Sequence, residues 1–262
     1  MSAPLERTER SLKGCRIPIR RGGRGPRLFI LHGGGGPSNW YDMAAALTDR
    51  YEVWLPEHPG FAGADDPAWL DGVGDLAYFY LSLLDDLDLR DVHLVGHSLG
   101  GWIAAEMAVR NAARLASLVL VSAAGLSVAG VERPDNFLWT RAETIRALYA
   151  DGGVADALLA HEPSDDEAIA AFKNQCTVAK LVWNPRWHNP DLGKWLDRVR
   201  LPVKIIWGDT DRLFAPVHAE AFATLIPGAS VDILAGCGHL PHVEQPEEWR
   251  RRLDRFIEGR AA

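Results

Sequence analysis

The sequence predicts an α/β fold, with a mostly parallel central sheet flanked by helices and a helical cap inserted late in the chain. Three observations predict it. Short apolar runs recur at 28–31, 92–95, 118–121 and 203–207, of strand length, and the first is continuous, as suits a strand buried on both faces. Between the early runs lie segments whose apolar residues repeat with helical spacing, and strand alternating with helix is the pattern of a parallel sheet. From about 126 to 200 the strand-like runs stop and the composition turns helical.

Taken in order, Ile17 and Ile19 alternate with arginines before Gly22-Gly23, which reads as a short edge strand and turn. Leu28-Phe29-Ile30-Leu31 is the first buried strand, ending in His32-Gly33-Gly34-Gly35-Gly36-Pro37. A helix follows over 40–47, with Met43, Ala44 and Leu47 apolar and Ser38 or Asn39 as its cap. The next strand, 51–55, is closed by Pro56-Glu57-His58-Pro59-Gly60. Leu76, Phe79, Tyr80, Leu83, Leu84 and Leu87 then set out a helical period. After the strand at 92–95 come a helix over 99–110 and the strand at 118–121. The inserted segment carries Trp139, Trp183, Trp187 and Trp195, with turn-forming Asn184-Pro185 and Asn189-Pro190. Strand, helix, strand and helix resume at 203–207, 219–225, 230–234 and 247–257, the last with Trp249, Leu253, Phe256 and Ile257 facing inward. The expected organisation is a core of residues 1–125 and 201–262 with a cap, 126–200. Such a cap would lie over the carboxyl edge of the sheet, where ligands bind in folds of this kind.

At 262 residues the chain suits one large domain with an insertion. Hydrophobic content of 47% and charged content of 24% are those of an ordinary globular protein. A formal charge of −7 argues against nucleic acid or an anionic membrane as partner. The basic first 27 residues, from Arg7 to Arg27, read as a solvated segment with a short hairpin rather than a polyanion-binding arm. No long apolar stretch follows Met1, so neither a signal peptide nor a membrane span is expected. Cys15, Cys176 and Cys237 are scattered without metal-ligand spacing, as in a reducing cytosol. The expected location is therefore cytoplasmic, with no metal or organic cofactor and with monomer or homodimer left open.

Chemistry concentrates at Gly96-His97-Ser98-Leu99-Gly100-Gly101, directly after the run at 92–95. An apolar strand, Gly-x-Ser-x-Gly and a helical pattern make a nucleophile elbow, which presents a serine hydroxyl on a strained turn. Serine needs a base, and the base needs an acid to hold its tautomer, in the chain order Ser, Asp/Glu, His. Asp211 in Trp207-Gly208-Asp209-Thr210-Asp211 and His239 in Gly236-Cys237-Gly238-His239 supply both, each in a loop after a strand. Asp209 is the rival acid. His242 is placed near the site or on the surface, and His97 is read as a packing and hydrogen-bonding neighbour. Cys237 reads as an inert buried thiol. The glycine-rich loop lacks the Gly-Lys-Ser/Thr ending of a phosphate cradle.

With His32-Gly33-Gly34-Gly35, these motifs resemble those of the α/β-hydrolase superfamily, most like single-domain bacterial esterases and meta-cleavage-product hydrolases. The resemblance covers about 26–258 and is loosest across the insertion. It implies an oxyanion hole formed by the N–H groups of Gly34 and Leu99, and a structural role for His32 in tying that loop. Ser98 disfavours the haloalkane dehalogenase and epoxide hydrolase branches, whose nucleophile is aspartate. Two departures stand out. Glu57-His58-Pro59-Gly60-Phe61-Ala62-Gly63 replaces the family's Asp-x-Pro-Gly-x-Gly, and Leu240 stands where meta-cleavage-product hydrolases commonly have tryptophan. The expected function is hydrolysis of small or medium carboxylic esters through an acyl-enzyme. Carbon–carbon hydrolysis of vinylogous keto acids, acyl transfer and a receptor on a hydrolase body are the alternatives. Trp139, Trp183, Trp187 and Leu240 are the candidate substrate contacts. Arg141, Arg146, Lys180 and Arg186 are the cations available for an acidic substrate.

Overall fold

Every apolar run becomes a strand of one sheet in the computed structural model, which describes residues 4–259. The strands are β1 (Glu6–Leu12), β2 (Cys15–Gly22), β3 (Arg27–Leu31), β4 (Glu52–Pro56), β5 (Val92–His97), β6 (Leu115–Val121), β7 (Val203–Gly208) and β8 (Ser230–Leu234). They lie in the order β1-β2-β4-β3-β5-β6-β7-β8. The β1–β2 and β2–β4 pairs are antiparallel and the rest are parallel. Helices α1 (Tyr41–Leu47), α2 (Val73–Asp86), α3 (Leu99–Arg110), α7 (Val217–Leu225), α8 (Pro241–Glu244) and α9 (Pro246–Glu258) flank the sheet. Between β6 and β7 come α4 (Arg141–Leu148), α5 (Gly152–Ala160) and α6 (Asp165–Val182).

Side chains alternate across a strand, so one apolar run must feed two cores. Leu28 and Ile30 pack with α1 and α9 on one face, among Met43, Leu47, Trp249 and Leu253. Phe29 and Leu31 pack on the other face with Leu76, Leu83 and Ile103 of α2 and α3. A polar residue at any of these positions would be buried, which is why the run at 28–31 is unbroken. Val178, Val182 and Trp187 of the inserted segment join the second core, so this part of the insertion is packed onto the body.

Two local expectations change. The strand around Ile17 and Ile19 is not the edge, because β1 pairs outside it through Glu6↔Arg21 to Leu12↔Cys15. Its turn, Lys13-Gly14, has both φ values positive, at 51° and 72°, the geometry of a tight hairpin. Charged side chains along β1 blunt its free edge. Ser38 and Asn39 do not cap the first helix. They form a 3-10 turn, Ser38–Trp40, that runs straight into α1, so the chain is already helical where a cap residue would be extended. Among the described residues no helix is long and apolar enough to cross a membrane.

Candidate active site

β5 ends at His97 and α3 begins at Leu99, leaving Ser98 alone in the turn with φ 54° and ψ −116°. A non-glycine residue in that region is strained, and the surrounding backbone must hold it there. Ser98 N–H donates to Val121 O at 2.9 Å, and its carbonyl accepts from Trp102 N–H at 3.2 Å and Ala124 N–H at 3.0 Å. The flanking glycines are required by close approach. A Cβ on Gly96 would lie 2.4 Å from Gly100 O, and one on Gly100 would lie 2.1 Å from Leu31 O.

The loops after β7 and β8 bring the two partners together. His239 Nδ1–H donates to Asp211 Oδ2 at 2.8 Å, and both residues are buried. Asp211 Oδ1 accepts from Leu213 N–H and Phe214 N–H, each at 2.9 Å. With its Nδ1 proton committed to Asp211, the neutral imidazole carries its lone pair on Nε2. The ring's backbone is held from both sides: His239 N–H donates to Leu148 O at the end of α4, and His97 Nε2–H donates to His239 O. Glu244 joins the same loops, accepting from Gly238 N–H at 2.8 Å and Ala150 N–H at 2.7 Å.

The rival groups have other employment. Asp209 accepts from Gly236 N–H and Cys237 N–H, which shapes the loop carrying His239. Burial drops His97 to about 3, so it stays neutral and donates. His242 is buried rather than at the surface, its ring stacked on Trp40 at 3.8 Å. Burial pushes the Cys237 thiol up to about 12, far from a reactive thiolate.

Ser98, His239 and Gly34 all line one cavity of about 330 Å³. Gly34 lies in the turn after β3, closed by Gly36 N–H donating to Gly33 O at 3.1 Å. Leu99 opens α3, so its N–H has no acceptor within the helix. Helix α6 presses on the glycine turn from above. Asn174 Nδ2 donates to Gly35 O at 3.1 Å while its Oδ1 accepts from Ala62 N–H at 2.9 Å, and Thr177 Oγ1 donates to Gly60 O at 2.6 Å.

A model of the Alpha/beta hydrolase family matches residues 28–252. The chain belongs to this family. It is 30% identical over 261 residues to a pimeloyl-[acyl-carrier protein] methyl ester esterase of Aromatoleum aromaticum, covering 89% of this chain and 99% of that one. It is 26% identical over 285 residues to a 2-hydroxy-6-oxo-6-phenylhexa-2,4-dienoate hydrolase of Comamonas testosteroni, covering 97% and 95%. A third relative, the dihydrolipoyllysine-residue acetyltransferase component of an acetoin cleaving system in Cupriavidus necator, is 28% identical over 254 residues. The match takes in 92% of this chain and 66% of that protein's length. Among solved structures, a carboxylesterase from Bacillus subtilis shares the fold with a TM-score of 0.75 at 21% identity, covering 98% of this chain and 93% of that one.

The cavity of this α/β hydrolase takes most of its roof from the insertion. Trp139, Trp187 and Leu240 line it. Trp183 does not: it is 55% exposed, beneath the Arg186 guanidinium at 4.3 Å. Trp187 has φ 59°, which turns the chain inward after α6, and its Nε1–H donates to Asn136 Oδ1 at 2.8 Å. The remaining apolar lining includes Phe137, Leu148, Val178 and Leu213, and the polar lining includes Asn39, Asn136, Thr144, Tyr149 and Gln175. None of these was singled out by sequence as a site residue. Among the described residues, none that lines the cavity is Lys, Arg, Asp or Glu. The four candidate cations are engaged elsewhere. Arg141 donates to Leu158 O and His161 O, Arg146 pairs with Asp156, Lys180 with Asp66 and Arg186 with Asp135.

Proposed function

We propose that this protein hydrolyses small or medium uncharged carboxylic esters through an acyl-enzyme. The observation that carries the proposal is the strained Ser98 sharing a cavity with an imidazole whose Nδ1–H is spent on buried Asp211. In the first step Ser98 Oγ bonds to the ester carbonyl carbon and its proton passes to His239 Nε2. The carbonyl π pair becomes an oxyanion, held by the N–H groups of Gly34 and Leu99 and by the positive end of α3. As the oxyanion collapses, the carbon–alkoxide bond breaks and the leaving alcohol takes the proton from His239. Water then repeats the sequence on the acyl-enzyme, with His239 as base, releasing the acid and restoring Ser98.

A volume of about 330 Å³ sits at the small end of ligand cavities and favours short acyl groups. The lining supports uncharged substrates, since a carboxylate would enter without a cation to meet it. That same feature weighs against vinylogous keto acids, although the Comamonas testosteroni relative acts on one and the catalytic groups would be shared. Replacing Ser98 by Ala tests the proposal. Turnover of p-nitrophenyl butyrate is expected to vanish, and an unchanged rate would refute it. A panel with p-nitrophenyl hemisuccinate and a meta-cleavage acid tests the preference for uncharged substrates. An acid turned over faster than the uncharged ester would overturn that preference.

A further inference from the structure

The peptide between Gly33 and Gly34 carries the Gly34 N–H at one end and the Gly33 carbonyl at the other. A trans peptide is planar and its C=O and N–H point opposite ways, so whatever grips the carbonyl aims the N–H. Two donors grip Gly33 O: Gly36 N–H at 3.1 Å and His32 Nδ1–H at 2.8 Å. The tautomer of His32 is set by its other nitrogen, since Nε2 accepts from His58 N–H at 3.0 Å. The His58 ring donates from Nε2 to His32 O at 2.8 Å, which leaves its Nδ1 to accept from Tyr80 O–H at 2.5 Å. The two rings stack with centroids 3.7 Å apart.

We propose that Tyr80 and His58 are positioning residues for the reaction, acting through His32 to aim the Gly34 N–H at the oxyanion. The inference rests on the esterase proposal above. Tyr80, His58 and His32 are all fully buried and come from three elements: α2, the loop after β4 and the end of β3. Apolar side chains would fill this space without the cost of burying polar groups. Burial also keeps the pattern of donors constant. It holds His58 down at about 3 and His32 well below the ordinary imidazole range, so neither gains a second N–H at neutral pH. Burial pushes the Tyr80 phenol well above its ordinary range, so it remains a donor. A rotated His32 would release Gly33 O and let the peptide plane swing, and a protonated one would set an Nε2–H against the His58 N–H.

The test uses Tyr80→Phe, which removes one oxygen atom, with His58→Leu, His58→Gln and the control Phe79→Leu. Phe79 is also buried on α2, stacked on Trp69, but lies outside the hydrogen-bonded chain. Measured for each are kcat and KM with p-nitrophenyl butyrate, Tm, and affinity for a trifluoromethyl ketone that forms a tetrahedral adduct. Loss of one oxyanion donor costs about 10²–10³ in kcat, which bounds the effect. His58→Leu is expected to lower kcat roughly 10–100-fold with KM within about twofold, and to weaken the ketone by the same factor. Tyr80→Phe should follow in the same direction with a smaller loss, and His58→Gln, which keeps a donor for His32 O, should recover part of it. Phe79→Leu should lower Tm and leave kcat unchanged. Full kcat and ketone affinity in folded Tyr80→Phe and His58→Leu would overturn the inference, as would kcat losses that merely track Tm as in Phe79→Leu. Absence of Ser98-dependent turnover in the unsubstituted protein would instead defeat the esterase proposal, and this inference with it.

Discussion

Replacing Asp211 by Asn changes one atom and should remove nearly all turnover. The carboxylate faces two kinds of partner: Oδ1 accepts two backbone N–H groups, from Leu213 and Phe214, and Oδ2 accepts from His239 Nδ1. An asparagine can satisfy the backbone pair only with its oxygen at the Oδ1 position, because an NH₂ there would oppose two donors. Its Nδ2–H₂ must then face His239. The imidazole answers by presenting the Nδ1 lone pair and moving its proton to Nε2, where the proposed base is needed. The wrong tautomer in such a triad costs about 10⁴ in kcat, or roughly 5.5 kcal/mol at about 1.4 kcal/mol per tenfold change. Steady-state hydrolysis of p-nitrophenyl butyrate should therefore fall by about that factor with KM little changed. Tm should move by only a few degrees, since both backbone bonds survive. A fall of less than about tenfold would refute the assignment of Asp211 as the residue that sets the tautomer.

Three further predictions concern stability and accessibility. Asn174→Ala removes the hydrogen bonds to exposed Gly35 O and half-buried Ala62 N–H and should cost about 1–3 kcal/mol in urea unfolding; a loss below about 0.5 kcal/mol would show that α6 does not pin the glycine turn. Burial depresses His58 and His97 to about 3 and lowers His32 and His242 as well. The unfolded chain takes up these protons first, so their contribution is complete above about pH 6.5 and is lost as pH falls toward 3. Each histidine gives about 1.4 kcal/mol per pH unit in that window. Unfolding free energy measured between pH 7 and 4.5 should fall steeply, His242→Phe should flatten the slope by about one proton, and a level profile would contradict the burial of these rings. Finally, iodoacetamide at pH 8 should label exposed Cys176 in the folded protein. Cys15 and Cys237, buried and pushed up to about 11 and 12, should stay unmodified until denaturant is added.

What could be read from sequence follows from where backbone geometry dictates residue type. Gly96 and Gly100 sit where a Cβ would strike a carbonyl, and Ser98 occupies a strained turn, so that stretch is written in few allowed letters. The doubly buried strands were equally plain because both faces demand apolar side chains. β1 gave no such signal: Glu6–Leu12 is almost wholly polar and is recruited by backbone pairing to β2. The segment between β6 and β7 was the least legible part, since its residues face the cavity only through tertiary packing. Trp183 and Trp187 lie one helical turn apart in sequence, yet one is exposed and the other lines the cavity, because α6 ends at Val182 and the chain turns over 183–187. Some of this segment was nonetheless signalled. Thr140-x-x-Glu143 and Ser164-x-x-Glu167 are capping boxes that start α4 and α6. Tyr149 and Gln175 carried no comparable mark.

The central claim is that Ser98 becomes acylated during turnover. Rapid acid quench with a p-nitrophenyl ester, followed by peptide mass mapping, tests it directly. The acyl mass should appear on the peptide containing Ser98, in step with a burst of p-nitrophenol of one equivalent per chain. Neither should appear in Ser98→Ala. An acyl group found on Cys176 or another residue, or steady turnover with no adduct and no dependence on Ser98, would contradict it.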